Sequence, residues 1–128
     1  MKTEYENMEK KDYKETCCQL KGMLVEQIGK NEEGTHIETN YFYKKRDAGR
    51  AFTFDLVVLD NRNSLKKVYE FSTSSECNEK LDALIKQLKL YREETDAEVF
   101  IAFVDDNKAL KVLSLQQLEK KSKKNPSL

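Results

Sequence analysis

The sequence predicts an α/β domain, a mixed β-sheet flanked by helices, in the order α-β-β-β-α-β followed by a short strand and a closing helix. Three observations carry this. Three extended runs, Thr35 to Lys45, Phe52 to Leu59 and Leu65 to Ser72, follow one another across turn-forming clusters, the pattern of an antiparallel meander. A stretch with apolar residues three and four apart then leads to the most apolar run of the chain, Val99-Phe100-Ile101-Ala102-Phe103-Val104, so a helix crosses over and returns a strand parallel to the third. Helical periodicity also opens the chain before any strand.

In order, about Tyr5 to Gly29 suits a helix whose stripe is Tyr13, Cys17, Leu20, Leu24 and Ile28, stopped by Gly29 and the Asn31 to Gly34 stretch. Glu15 and Glu26 fall off that stripe, on the helix surface. In the first strand Ile37, Thr39, Tyr41 and Tyr43 alternate with His36, Glu38, Asn40 and Phe42, which assigns each set its own face. His36, the one histidine, has no nucleophile near it in sequence and reads as a strand-surface residue. Arg46 to Arg50 turns the chain into a second strand. Its near-continuous apolar character marks coverage on both faces, and Asp55 interrupts it.

Asp60-Asn61-Arg62-Asn63-Ser64 closes a hairpin into the third strand, where Val68, Glu70 and Ser72 share one face while Tyr69 and Phe71 take the other. Thr73 and Glu76 form a capping box for a helix burying Cys77, Leu81, Leu84, Leu88 and Tyr91, with Gln87 one turn from Tyr91. Ala97 to Val104 supplies the parallel strand. Asp105-Asp106-Asn107 turns the chain and lacks the closing glutamate of a calcium loop. Leu110 to Leu113 adds an edge strand, and Ser114 with Gln117 caps a closing helix to about Lys121.

A length of 128 residues fits one domain, 1–128, with 1–5 and 122–128 expected to be loose. Apolar residues are 38% and charged residues 36% of the chain, no run reaches the length of a membrane span, and Met1 to Lys14 has no secretory character. Cys17, Cys18 and Cys77 lack metal-ligand spacing, so reduced cytoplasmic thiols are expected. A net charge of zero argues against a protein that coats nucleic acid. The cations are nevertheless gathered, with Lys44, Lys45, Arg46 and Arg50 about one turn and Lys108, Lys111, Lys120, Lys121, Lys123 and Lys124 toward the end. Such groups are ordinarily a solvated face, and otherwise phosphate contacts.

The chemistry centres on Asp55. A carboxylate in an apolar strand needs a cation or strong donors, and the antiparallel pairing of the second and third strands sets Glu70 beside it. Two carboxylates in a poorly hydrated site repel, and either one takes a proton or a hard cation such as magnesium lies between them. Pairing with Lys66 or Lys67 is the plain structural alternative.

Asp55, fourteen intervening residues, Glu70-x-Ser72, a helix and Gln87-x-x-x-Tyr91 together resemble the restriction-endonuclease-like superfamily, named for its proline-aspartate and acid-x-lysine signature. The Gln-x-x-x-Tyr element is similar to its RecB-like exonuclease branch, and the whole pattern to the amino-terminal nuclease domain of type I restriction motor subunits. The resemblance implies a restriction-endonuclease-like core and a magnesium site, with manganese as substitute, held by Asp55, Glu70 and a first-helix glutamate, Glu26. It further implies DNA phosphodiester hydrolysis, with Gln87 and Tyr91 supporting the site. Phe54 stands where the family has proline, and Ser72 replaces the lysine whose ammonium steadies the attacking water and the phosphate charge. Lys80, on the following helix, is the lysine placed to substitute for it.

Three functional expectations follow. The chain is a magnesium-dependent nuclease acting on DNA, or a descendant inactivated at Ser72 that binds nucleic acid or a protein, or a module of a larger restriction or helicase subunit. No Gly-rich phosphate loop, paired-cysteine zinc site or serine-histidine-aspartate set competes.

Overall fold

The computed structural model describes residues 18–29, 34–44 and 50–124. The early turns of the expected first helix, with Tyr13, Glu15 and Cys17, lie outside them, as do Asn31, the 45–49 turn and both chain ends at 1–5 and 125–128.

A first helix, α1, covers residues 18–29. It is followed by β1 (His36–Lys44), β2 (Ala51–Leu59), β3 (Leu65–Phe71), α2 (Ser74–Glu79), α3 (Leu81–Thr95), β4 (Glu98–Val104), β5 (Leu110–Ser114) and α4 (Leu115–Lys124). The strands form one sheet in the order β1-β2-β3-β4-β5. β3 and β4 are parallel and the other neighbours antiparallel, as the crossover demands. The fold is thus α/β, with a five-stranded mixed sheet flanked by helices.

Leu20, Leu24 and Ile28 of α1 pack on Leu56, Val58, Tyr69 and Ala102, on one face of the sheet. Cys77, Leu84, Ile85, Leu88 and Tyr91 pack with Val57, Leu59, Val68, Val99 and Ile101 on the other, joined by Leu115 and Leu118 of α4. β2 is therefore covered on both sides, and Leu56, Val57, Val58 and Leu59 are all buried.

Strict alternation fails at one place. Phe54 lies two residues before Leu56, yet it packs on the α3 side while Leu56 packs on the α1 side. A regular strand keeps such residues on one face. β1 changes sides at the same level, since Ile37 joins the α1 cluster whereas Tyr41 and Tyr43 join the α3 cluster. This corrects the expectation that Ile37, Thr39, Tyr41 and Tyr43 share a face. The cause is local: Asn40 has φ 50°, the left-handed region that asparagine tolerates. The ladder runs Thr39 to Leu56 and Tyr41 to Phe54, skipping Asn40 and Asp55 between them.

The helix expected after Thr73 is two helices. Lys80 leaves helical geometry at φ −120° and ψ 32°, ending α2 and opening α3 without a side-chain cap. Neither Gly nor Pro stands there, so local propensity does not announce the break. Thr73 caps α2 as expected, accepting the Glu76 N–H on Oγ1 at 3.1 Å, but the Glu76 side chain bonds Ser72 instead of completing the box, whereas Ser114 and Gln117 cap each other reciprocally at 3.2 and 2.8 Å. α4 continues past Lys121 to Lys124, tied back by Lys121 Nζ to Asn78 Oδ1 at 2.9 Å and Ser122 Oγ to Asp82 Oδ1 at 3.3 Å. No described helix is long and apolar enough to cross a membrane.

Candidate functional site

Asp55 sits at the point where β2 changes faces. Its Oδ2 accepts the backbone N–H of Phe71 at 2.8 Å, a bond from the strand end that carries Glu70 and Ser72. The β2–β3 register, Leu56 to Tyr69 and Val57 to Val68, sets Asp55 opposite Glu70 when continued by one residue. Val68 and Tyr69 belong to opposite clusters, so Glu70 shares the α3 face with Val68, as alternation predicts.

The electrostatics of this pair are unfavourable. Burial pushes the Asp55 carboxyl up, against the pull of the Phe71 N–H. Glu70 is pushed up to about 8, first by burial, then by the charge of Asp55 and then by that of Glu76. Its Oε2 is buried and accepts no hydrogen bond among the described residues. A buried polar oxygen left without a partner costs about 1–3 kcal/mol, and no described residue offsets that cost for Glu70.

Tyr91 lies within electrostatic reach of both acids. Its hydroxyl is raised by burial and by the charge of Glu70, against the hydrogen bond from Gln87. That bond, Gln87 Nε2 to Tyr91 Oη, is 2.6 Å long and fixes the side chains one turn apart on α3. The Tyr91 ring is held edge-on against Phe54 at 4.9 Å and Phe52 at 5.3 Å, on β2 just before Asp55. The hydroxyl accepts from Gln87 and retains its own proton to donate.

Ser72 is buried, 6% exposed, and its hydroxyl donates to Glu76 Oε2 at 3.1 Å. Where the resembled family carries an ammonium, this chain thus has a hydroxyl bonded to a third acid. Glu76 escaped the sequence reading as a site residue because its capping role explained it. Its distance of six positions from Glu70, across the short turn into α2, was the available signal.

Glu26 is exposed on α1, whose buried side covers the opposite face of the sheet from α3. Among the described residues no three His, Cys, Asp or Glu side chains are gathered to hold a metal, so Glu26 is not brought to the Asp55 and Glu70 pair. Lys80 is exposed at the α2–α3 break and lines a cleft with Asn78, Asp82 and Lys121. The break removes the helical argument that placed Lys80 on the side of Gln87, and Asp55 and Glu76 are the charges acting on Glu70. The structure therefore brings Asp55, Glu70, Ser72, Gln87, Tyr91 and Glu76 into one neighbourhood and leaves Glu26 and Lys80 outside it.

The pair therefore offers two carboxylates, one with a buried oxygen that has no partner among the described residues. Comparison with family models, curated proteins and solved structures finds no match to this chain.

Proposed function

We propose that the chain is a divalent-cation site on a restriction-endonuclease-like scaffold, working on DNA phosphodiesters. The observation that supports this best is the unpaired, buried Glu70 Oε2 beside Asp55. A fold keeps two acids in such surroundings at a cost of stability, and a cation between them removes that cost. Element order and the parallel β3–β4 pair support the scaffold assignment by analogy.

Asp55 and Glu70 would hold magnesium or manganese, which would supply a polarised phosphoryl oxygen and an activated water. Tyr91, oriented by Gln87, would offer its hydroxyl proton to an anionic oxygen near the two acids. Ser72 adds no charge at the position where the resembled enzymes carry the ammonium that steadies phosphate.

That absence favours a second reading, an inactive module that retains the cation site and binds nucleic acid or a protein partner in a restriction or repair assembly. Its support is the commitment of the Ser72 hydroxyl to Glu76.

Calorimetric titration with manganese near neutral pH tests the cation site. Wild type takes up about one ion per chain, and Asp55→Asn and Glu70→Gln each lose it. A wild type that binds no better than the variants removes both readings. Incubation with linear, circular and single-stranded DNA separates them: cleavage abolished by Asp55→Asn supports the nuclease. Cation binding without cleavage, restored to cleavage by Ser72→Lys, supports the module.

A further inference from the structure

We draw no further inference here: the strongest candidate, the cleft at the α2–α3 break lined by Lys80, Asp82, Lys121 and Ser122, is the uncapped start of a helix whose Lys121 and Asp82 already bond Asn78 and Ser122, and no second feature among the described residues points to a ligand there.

Discussion

Asp55 and Asp60 lie five residues apart at and just beyond β2, and the fold treats them oppositely. Asp60 Oδ1 accepts the backbone N–H groups of Arg62 at 2.8 Å and Ser64 at 2.9 Å, and Lys66 stands 3.7 Å from Oδ2. The Ser64 and Arg62 bonds hold its carboxyl below the ordinary carboxylate range. Asp55 has one backbone donor, faces a second acid and is pushed above that range. A turn aspartate organises the chain around itself. Asp55 burdens the chain, and its neighbour Glu70 is burdened further. Such a contrast over five residues makes Asp55, and not Asp60, the candidate site residue.

The largest effect that sharpens this contrast is the pH dependence of stability. Glu70 has its folded value raised to about 8, so its contribution is complete below the ordinary carboxylate range and is lost as pH rises through that value. From about pH 5 to about pH 9, metal-free protein loses on the order of 2 kcal/mol of unfolding free energy, allowing for partial exposure. Glu70→Gln flattens the slope, as urea denaturation at several pH values reads directly. A wild-type slope equal to that of the variant breaks the contrast.

Asp60 runs the other way. With its folded value lowered, its contribution is present above the ordinary carboxylate range and lost as pH falls through the folded value. Asp60→Ala therefore lowers the melting temperature at neutral pH and converges on wild type in acid, a smaller effect because the group is solvated.

The smallest effect comes from the other hairpin. Asp105 accepts Asn107 and Ala109 N–H at 2.9 Å each and lies 3.9 Å from Lys111, reproducing the Asp60 turn bond for bond. The left-handed position is Asn63 in one turn, φ 61°, and Lys108 in the other, also φ 61°. Lysine pays for that conformation where asparagine tolerates it, so Lys108→Gly raises stability by about 0.5 kcal/mol, measured by thermal melting.

Much of the sheet was legible because its signals are local. Asp60 to Ser64 announces a hairpin, and the apolar stripe from Leu81 to Tyr91 followed by Val99 to Val104 announces a crossover and a parallel strand. Glu70 on the Val68 face and Gln87 beside Tyr91 follow from the two periodicities. The face change at Asn40 and Asp55 was not legible, because a single asparagine in the left-handed region leaves an alternating pattern that looks unbroken. The α2–α3 break was hidden likewise, since Asn78-Glu79-Lys80 carries no helix breaker. Glu76 illustrates a different blindness: its fit to one local rule, the helix cap, outweighed the signal of its short spacing from Glu70, and its side chain bonds Ser72.

The parallel pairing of β3 with β4 has a consequence for biogenesis. β3 is the middle strand, and one of its two edges is completed by residues that leave the ribosome only after the whole of α2 and α3. Until Glu98 to Val104 has emerged, the nascent meander presents Lys67 to Phe71 as a bare hydrogen-bonding edge, with Val68 and Ile85 uncovered on the side that β4 will close. Truncation before that strand leaves β3 with an unpaired edge, so the five-stranded sheet closes only when the residues from Glu98 onward have been made.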